Sequence, residues 1–555
     1  LNYATTSWFV KVTDFKDELV AVNEKVHWVP DHVGTNRFGK WLEGARDWAI
    51  SRQRYWGAPL PIWKNEKTGH YKVFGSKTDL LANVPQRGNT FTLIRHGESE
   101  FNTKMILNGL TGVKNPLTAN GQAQTKRAVA ELKAQKIDYI YYSPLERTAE
   151  TAHILAAELG IPEERVISDT RLLEMQFGQF EGKTVDEYHA FFGSGAKRLV
   201  ERPAGGENWS DVKRRVGEFL FAINEAHENA HVLVVSHNGT LQMLQAAAAG
   251  DDDVVTARHI EANDYDLANA EVRTIDFTPY PHNDTYALDY HRPYIDEIEL
   301  RDTDGSRLVR VPDVFDCWFE SGSMPYGQQH YPFSCDTKKF TKEYFPAQFI
   351  AEGLDQTRGW FYSLIVLGTA LFGKSPYENV IVNGLVLAED GKKMSKSLRN
   401  YPDPLELADR VGVDAIRHYL LSAPIMRAED LNFSEKEVLE LQRKNIGRLH
   451  NVLAMYEMYA DGTGAKSDSP NVLDRWIIAR LNQLIAESTA GYENYELDKA
   501  TRPLGDFIDD LSVWYLRRSR DRLKGVDGED KAHALATLRY TLRTLAFVSA
   551  PAMPF

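Results

Sequence analysis

In the middle of the chain, short apolar stretches alternate with longer amphipathic ones. FTLIR, IDYIYY and HVLVVS have the pattern of buried strands, and the spacing between them predicts helices over residues 118–135 and 143–159. Ser143 is the predicted N-cap of the second helix, with Pro144 at its first helical position and Gly160 as its stop signal. The alternation predicts a largely parallel sheet with helices on both faces.

The pattern is different on either side of this region. The N-terminal stretch is irregular and rich in Trp, with ARDWAISRQRYWGAPLPIW as its densest part. After a polar connection near residues 279–289, a second α/β unit is predicted from FIAEG (strand), residues 355–372 (helix) and NVIVNGLVL (strand). From Phe433 the pattern is helical, opened by a predicted capping box of Ser434 and Glu437. Several domains are therefore expected.

Composition narrows the class of protein. A length of 555 residues is too great for one compact core, and 43% hydrophobic with 26% charged residues is ordinary for a globular chain. The only cysteines, Cys317 and Cys335, exclude a disulfide scaffold and a cysteine-rich zinc site. Without a secretory signal or an apolar run long enough for a membrane span, we expect a cytoplasmic protein. The net charge of −13 neither indicates nor excludes a nucleic-acid partner.

Four motifs place ionisable residues after the predicted strands. They are RHG, SPLERT, LLEMQFGQFEG and VVSHNGT, and the carboxyl ends of parallel strands would bring them to one edge of a sheet. His96 suits a nucleophile that accepts a phosphoryl group, and Glu174 suits a proton donor to the leaving group. Two guanidiniums and a second imidazole would neutralise the phosphoryl oxygens, from Arg95, Arg147 and His237.

These motifs resemble the histidine phosphatase superfamily, which includes phosphoglycerate mutases and broad-specificity phosphatases. The resemblance covers about residues 91–277 and implies a phosphohistidine at His96, with Glu174 acting as acid and then as base. LLEMQFGQFEG resembles the phosphatase branch more than the mutase branch. No metal and no cofactor are implied, and the implied substrate is an unidentified phosphorylated small molecule. The implied phosphate pocket consists of Arg95, Asn102, Arg147 and His237.

A second candidate site lies further along the chain. Lysines and serines alternate in KMSKS after a predicted strand, which suits a loop that stabilises the charge of a triphosphate. In AEGLDQTRGWF, Glu352 and Asp355 are placed to bind an α-ammonium group, and Gln356 and Trp360 are predicted one turn apart on one helix face. DVFDCWFESG supplies Trp318 from another loop.

Together these segments resemble the isoleucyl-tRNA synthetase family of class I synthetases. The resemblance implies a Rossmann catalytic core that makes isoleucyl-adenylate from isoleucine and ATP with Mg²⁺ and transfers the acyl group to tRNA(Ile). It implies an ATP loop of Lys393, Met394, Ser395, Lys396 and Ser397. It implies an aminoacyl-adenylate pocket of Glu352, Gly353, Asp355, Gln356, Trp360 and Trp318. LDRWIIARLN and DLSVWYLRRSRDR resemble the family's anticodon-binding domain, with candidate tRNA contacts at Arg517, Arg518 and Arg520.

The two resemblances predict that the phosphatase interrupts the synthetase. We expect an incomplete Rossmann-type α/β catalytic domain, an inserted α/β phosphatase and a truncated all-α anticodon-binding domain. The HIGH-like motif and the editing motifs of the family are absent, so we expect a fragment that does not form adenylate alone. The predicted boundaries are 1–87 for the first catalytic segment, 88–280 for the insert, 281–432 for the second catalytic half and 433–555 for the helical domain.

Other readings remain open at this stage. Ligation could be vestigial, leaving a phosphatase on a tRNA-binding scaffold. The insert could instead be an inactive phosphate-ligand sensor or a spacer. The gene could also be chimeric, although both junctions read smoothly. The joint presence of Arg95, His96, Arg147, Glu174 and His237 favours an active phosphatase, because a spacer needs none of them.

Overall fold

The computed structural model describes residues 7–54, 56–395, 397, 399–525 and 528–555. The chain divides into two compact units. One combines residues 1–50 with 316–555, and the other comprises residues 51–315. Within the described parts of the chain, no helix is both long enough and apolar enough to cross a bilayer.

The N-terminal segment contributes its strands and helices to the first unit. A π-helical stretch over Val33–Gly39 leads into its second helix. The elements in order are β1 (Phe9–Val10), α1 (Lys16–Asn23), β2 (His27–Val29), α2 (Lys40–Glu43) and β3 (Trp48–Ala49).

The second unit begins with four short elements that precede the predicted insert. They are β4 (Ser51–Arg52), β5 (Ile62–Asn65), β6 (Tyr71–Val73) and α3 (Lys77–Leu81). The elements of the α/β region follow: β7 (Thr90–Arg95), α4 (Glu100–Thr103), α5 (Ala119–Lys133), β8 (Tyr139–Tyr142), α6 (Glu146–Leu159), β9 (Val166–Ser168), α7 (Val185–Phe192), α8 (Gly195–Val200), α9 (Trp209–Ala226), β10 (His231–Ser236), α10 (Asn238–Ala249), α11 (Asp253–Ala262) and β11 (Val272–Ile275).

The α/β region forms one five-stranded sheet in the order β11-β7-β10-β8-β9. Four strands are parallel, and β11 pairs with β7 antiparallel. Leu93 and Val234, which are opposite each other, face one core, whereas Ile94 and Val235 face the other. Because both faces are buried, the strands read as continuous apolar runs. A largely parallel sheet with two apolar faces is what the hydrophobic pattern predicts.

A smaller antiparallel sheet lies in the same unit and is built from both sides of the α/β region. The elements after β11 are α12 (Tyr294–Glu297), β12 (Leu300–Arg301), β13 (Arg307–Arg310) and β14 (Val314–Phe315). The strand order is β12-β13-β5-β6, with Leu308 opposite Asn65. Its core includes Trp63 and Phe74 from before the insert and Leu300 from after it. This sheet is therefore interrupted in sequence but continuous in space.

The rest of the first unit is an α/β part followed by helices. The elements are α13 (Cys317–Gly322), α14 (Met324–Gly327), α15 (Thr337–Glu343), β15 (Ala347–Gly353), α16 (Trp360–Phe372), β16 (Tyr377–Asn383), β17 (Val386–Leu387), α17 (Pro404–Val411), α18 (Val413–Ser422), β18 (Leu431–Asn432), α19 (Glu435–Leu441), α20 (Gly447–Tyr459), α21 (Val472–Glu493), α22 (Leu497–Asp509), α23 (Arg517–Lys524) and α24 (Gly528–Ser549). β15, β16 and β2 form a parallel sheet in that order. The final helices pack around a separate apolar core.

Two predicted helix starts differ from the structure. Helix α6 begins at Glu146 and not at Ser143, because Leu145 is the N-cap, with φ −72° and ψ 146°. The hydroxyl of Ser143 is instead bonded to the ring of His237 at 2.8 Å. Helix α16 begins at Trp360, since residues Leu354–Arg358 form a 3-10 turn. At the first of these positions, Ser143 has a tertiary partner, and at the second the chain forms a 3-10 turn before the helix.

Three further details of local structure differ from the prediction: the positions of Gln356 and Trp360, the capping box, and the strand in NVIVNGLVL. Gln356 and Trp360 do not share a helix face, because Gln356 lies in the 3-10 turn that precedes α16. Gln356 Oε1 accepts a hydrogen bond from the Trp360 backbone N–H at 3.0 Å. Ser434 caps α19 by accepting from Glu437 N. The Glu437 carboxylate does not return that bond, because it accepts from the Tyr419 hydroxyl at 3.1 Å. NVIVNGLVL forms two strands, β16 and β17, and not one.

Candidate functional site

The four predicted phosphatase motifs meet at one edge of the five-stranded sheet. Arg95 is the last residue of β7 and His96 follows it, while His237 follows the adjacent strand β10 as the N-cap of α10. Arg147 lies in the first turn of α6. The imidazole centroids of His96 and His237 are 5.2 Å apart. Glu174 reaches the same edge after β9 and a 3-10 turn.

His96 is held with one ring nitrogen available as a nucleophile. Its Nδ1 lies 2.7 Å from the Gly97 carbonyl oxygen, which can only accept a hydrogen bond. The proton of the neutral ring is therefore on Nδ1, and Nε2 carries the lone pair. Burial, together with the charges of Arg147 and Arg95, holds the pKa of His96 well below its usual value. The ring is therefore neutral near pH 7.

Arg147 is buried against His96 and its guanidinium is fixed on three sides. Nε donates to His96 Nε2 at 3.1 Å, and the two terminal nitrogens donate to the side-chain and backbone oxygens of Asn108 at 3.0 and 2.9 Å. Burial lowers the pKa of Arg147 to about 10, so the group remains charged near pH 7. Asn108 was not predicted from the sequence, because nothing in its local pattern links it to SPLERT.

Two buried nitrogens at this edge have no hydrogen-bond partner among the described residues. They are Nε of Arg95 and Nδ1 of His237. The hydroxyl of Ser143 lies 2.8 Å from His237 Nε2. In the tautomer in which Ser143 donates to Nε2, the ring proton is on Nδ1, which can then donate to a ligand. Buried donors without acceptors are rare and costly, so both fit an anion bound at this point.

His237 differs from the prediction in its charge. Burial, together with the charges of Arg147 and Arg95, lowers its pKa well below the usual value. It therefore offers a hydrogen bond from a neutral ring, and the positive charge of the site comes from Arg95 and Arg147. This separation of roles depends on burial, which the motif does not encode.

Glu174 is positioned by hydrogen bonds to one carboxyl oxygen. Oε1 accepts from the Met175 backbone N–H at 3.0 Å and from the Thr240 hydroxyl at 3.3 Å. Burial raises the pKa of Glu174, although Arg147 and Arg95 oppose the shift. A carboxyl group with a raised pKa in a phosphate site is suited to donate a proton.

Asn102 lies in α4 and presents its amide to the same space. Its Oδ1 accepts from the Ser99 backbone N–H at 3.0 Å and from Asn269 Nδ2 at 3.2 Å. Asn269 also donates to the His96 carbonyl at 3.1 Å. Because the oxygen of Asn102 is used in this way, its nitrogen is the atom that can donate to a ligand.

These groups line a cavity of about 490 Å³. The predicted residues Arg95, His96, Asn102, Arg147 and Glu174 all line it, and His237 lies buried beside His96. The cavity is also lined by residues that the four motifs do not include, among them Phe177, Tyr188, His189, Arg198 and Trp209.

The candidate adenylate residues lie in the first unit. Glu352 and Gly353 end β15, and Asp355 accepts a hydrogen bond from Gln356 Nε2 at 3.0 Å. The indole N–H of Trp360 donates to the Ser321 carbonyl at 3.0 Å. Trp318, 39% exposed, is close enough to Gly359 that a Cβ there would lie 2.9 Å from its ring. The structure therefore brings Trp318, Gln356 and Trp360 together, beside Asp355.

The candidate ATP loop is described only in part, since Lys396 lies outside the described residues. Asn400 fixes the loop by donating to the Lys393 carbonyl at 3.1 Å and accepting from the Ser395 N–H at 2.9 Å. The hydroxyls of Ser395 and Ser397 are 2.7 Å apart. Met394 packs on the apolar cluster of α17, α18 and α19.

The candidate tRNA contacts Arg517, Arg518 and Arg520 lie in α23. The guanidinium of Arg518 lies 4.0 Å from the centroid of the Trp514 ring, which is 48% exposed. An exposed guanidinium stacked on an exposed indole can contact a phosphate or a base.

Family models match the three parts of the chain separately. Residues 91–281 match the histidine phosphatase superfamily (branch 1). Residues 1–104 and 279–432 match tRNA synthetases class I (I, L, M and V), and residues 474–555 match the anticodon-binding domain of tRNA ligase. The chain therefore carries class I tRNA synthetase and anticodon-binding domains with an inserted histidine phosphatase domain.

Along its whole length, the chain is related to isoleucine–tRNA ligases. It is 31% identical over 558 residues to the isoleucine–tRNA ligase of Chlamydia trachomatis serovar D, with 100% of this chain and 34% of the relative covered. It is 33% identical over 560 residues to that of Bdellovibrio bacteriovorus, with 100% and 34% covered. The resemblance predicted from the motifs is confirmed. The chain spans about a third of the length of the curated relatives it matches.

The similar solved structures are histidine phosphatase-like chains. Bacillus stearothermophilus YhfR is 28% identical, covers 36% of this chain and 98% of its own, and has a TM-score of 0.30. A phosphoserine phosphatase from Entamoeba histolytica, solved with 3-phosphoglyceric acid, is 25% identical, covers 34% and 91%, and has a TM-score of 0.29. The family-model match, and not these scores, identifies the inserted domain.

Proposed function

We propose that the inserted domain is a phosphomonoesterase that works through a phosphohistidine at His96, carried within an isoleucine–tRNA ligase. The observation that supports it most is the state of His96, whose Nδ1 is bonded to Gly97 O at 2.7 Å and whose Nε2 faces Arg147. A neutral, oriented imidazole beside a buried guanidinium is what phosphoryl transfer to nitrogen requires.

The first step transfers the phosphoryl group to the enzyme. The lone pair of His96 Nε2 attacks phosphorus while the bond to the leaving oxygen breaks, and Glu174 protonates that oxygen. Arg147 turns its Nε hydrogen bond from His96 to a phosphoryl oxygen, and Arg95 Nε and His237 Nδ1 donate to the same group. The two donors without partners are thereby satisfied.

The second step returns the enzyme to its starting state. Glu174, now a carboxylate, takes a proton from water, and the hydroxide attacks phosphorus as the N–P bond breaks. The electron pair of that bond returns to Nε2, and inorganic phosphate leaves. No metal or cofactor takes part in this proposal.

The flanking domains support a ligase role. We infer that the protein attaches isoleucine to tRNA(Ile) in the cytoplasm, with isoleucine, ATP and its Mg²⁺ as substrates. Glu352, Gly353, Asp355, Gln356, Trp318 and Trp360 would bind the adenylate, and Lys393 to Ser397 the triphosphate. Isoleucine-dependent exchange of pyrophosphate into ATP by the full-length protein tests this inference. Exchange with valine or leucine but not isoleucine would contradict it.

The phosphatase proposal is tested by hydrolysis of an aryl phosphate by the wild type and His96→Ala. We expect turnover in the wild type and a loss of at least about a thousandfold in the variant, because removing a nucleophile removes its reaction path. Circular dichroism and melting temperature serve as the control for folding. A folded wild type that binds orthovanadate but turns nothing over would indicate a phosphate-ligand sensor instead.

A further inference from the structure

The cavity is larger than a phosphoryl group needs, and its walls also carry apolar side chains. The wall residues include Phe101, Ile106, Leu107, Phe177, Tyr188 and Trp209. The polar atoms of the two large rings are already paired, since Trp209 Nε1 donates to the Tyr188 hydroxyl at 3.1 Å and that hydroxyl lies 3.6 Å from Met175 Sδ. The rings therefore offer apolar faces, which suit the carbon body of a substrate.

One cation interrupts this wall. Arg198, in α8, lines the cavity and is only partly exposed. Its Nε atom is buried and has no hydrogen-bond partner among the described residues. The carboxylate that attracts Arg198 is that of Glu261, whose Oε1 already accepts from the Gly195 N–H at 3.2 Å. A half-buried guanidinium with an unused donor fits an acceptor brought by a ligand.

Arg198 is distinct from the phosphate-binding arginines. Arg147 donates to His96 at 3.1 Å at the sheet edge, whereas Arg198 lies on α8, which packs against α9 and α11. Burial lowers the pKa of His189 and the charge of Arg198 adds to that shift, while burial raises the pKa of Tyr188 and Arg198 opposes it. The cavity thus carries positive charge at two places, with apolar surface also lining it.

A single negative charge suits Arg198 better than two. Asp266 also lines the cavity, where it accepts hydrogen bonds from Asn238 and Gln242. A single guanidinium in a cavity that also contains this carboxylate favours a monoanion over a second dianion. A carboxylate matches the two-pronged geometry of a guanidinium.

We propose that the substrate is a phosphomonoester whose apolar or aromatic body carries a carboxylate, and that Arg198 binds that carboxylate. The inference rests on the proposed phosphatase function, and it names the substrate class that the same site selects.

The test compares two nearly isosteric probes, carboxyphenyl phosphate and carbamoylphenyl phosphate, each as its meta and para isomer. They differ by one negative charge at the distal end. We expect the wild type to prefer the carboxylate by about tenfold in kcat/KM at one or both positions, since charge-assisted hydrogen bonds to a guanidinium are of this strength. Phosphonophenyl phosphate, a second dianion, is expected to be the poorer probe.

Three variants test whether Arg198 causes the preference for the carboxylate probe. Arg198→Gln is expected to reduce the ratio of the two kcat/KM values to about one, and Arg198→Lys to restore part of it. Arg202→Gln is the matched control, because Arg202 pairs with Asp211 at 2.6 Å and does not line the cavity. In that variant the tenfold ratio is expected to persist.

The outcomes separate this inference from the proposed function. A wild type that hydrolyses both probes equally overturns the inference, as does a preference that persists in Arg198→Gln. If nothing is hydrolysed, the proposed function fails, and calorimetry with carboxybenzyl and carbamoylbenzyl phosphonates decides the inference. Tighter binding of the carboxylate that Arg198→Gln abolishes supports it, and equal binding overturns it.

Discussion

Replacing Glu174 by Gln tests whether this residue is the proton donor. Gln has nearly the same shape and keeps an oxygen at the position where Oε1 accepts from Met175 N at 3.0 Å and from Thr240 at 3.3 Å. The substitution therefore removes the transferable proton while leaving these two hydrogen bonds in place. Any loss that depends on the leaving group then reports on proton transfer.

The expected magnitude follows from the need for a proton at the leaving oxygen. For an alkyl phosphate, whose alkoxide is a poor leaving group, we expect kcat to fall by about a hundred- to ten-thousandfold, the usual contribution of general acid catalysis. For a nitrophenyl phosphate, which leaves without a proton, we expect a loss of less than about tenfold in the first step. Burst kinetics separate this step from hydrolysis of the phosphohistidine, which needs Glu174 as a base for every substrate.

The pH dependence gives a second measurement on the same pair of substrates. Burial raises the pKa of Glu174, and a bound phosphate raises it further by repulsion between negative charges. First-step activity on the alkyl substrate is therefore present below this raised pKa and lost as pH rises through it. The acid limb lies far lower, because burial and Arg147 lower the pKa of His96.

The variant should abolish the basic limb that the alkyl substrate shows in the wild type. Equal losses on alkyl and nitrophenyl substrates in the first step would refute Glu174 as the acid. So would an alkyl profile whose basic limb is unchanged in Glu174→Gln. Either result would leave the carboxylate with a purely electrostatic or structural role.

Two further substitutions test the close packing beside His96 and a buried ion pair in the helical part. Gly97→Ala should lower phosphatase kcat by at least about tenfold while secondary structure stays intact. The new Cβ would lie 2.4 Å from the Gly121 carbonyl oxygen, and relieving this clash would displace His96. An unchanged kcat would contradict this argument. Asp474→Asn should destabilise the helical part by about 1.5–3 kcal/mol in chemical unfolding, since the buried carboxylate binds Arg522 at 2.7 and 2.8 Å, although Arg522 keeps its pair with Asp530. Asp509→Asn, whose exposed pair with Arg448 is worth at most about 1 kcal/mol, is the control, and equal losses would refute the argument. Although burial opposes it, hydrogen bonds from Arg522, Ser469 and Tyr515 lower the pKa of Asp474, so its contribution is present above the unfolded pKa and lost as pH falls through the folded one.

The sheet of the insert could be predicted because its strands are buried on both faces. Val232 and Val234 face one core while Leu233 and Val235 face the other, which produces the continuous run HVLVVS. The motifs at the strand ends then placed Arg95, His96 and His237 at one edge, since parallel strands end together. The hydrophobic pattern does not fix the strand order β11-β7-β10-β8-β9, which the structure supplies.

Features that depend on tertiary contacts could not be predicted in the same way. Ser143 has the sequence of an N-cap, but its hydroxyl is bonded to His237, ninety-four positions away in sequence. Asn108 orients Arg147, and Arg198 reaches the cavity from a short helix whose pattern is that of an ordinary amphipathic segment. Local sequence spacing does not predict partners that are distant in sequence, so the part of the cavity that includes Arg198 could be identified only from the structure.

The ends of the inserted sheet explain how one domain can interrupt another. β11 pairs with β7 so that Ile275 lies opposite Phe91, which places the two ends of the α/β region side by side. The host sheet needs the same closeness, because β13, after the insert, pairs with β5, before it. The entropy cost of closing a loop grows only slowly with loop length. Because the ends of the inserted domain are adjacent, the insert adds little to this cost beyond its two connections, residues 74–89 and 276–299. The two connections include α3 and α12, and the host sheet is complete despite the insert, so the insertion interrupts this sheet in sequence but not in space.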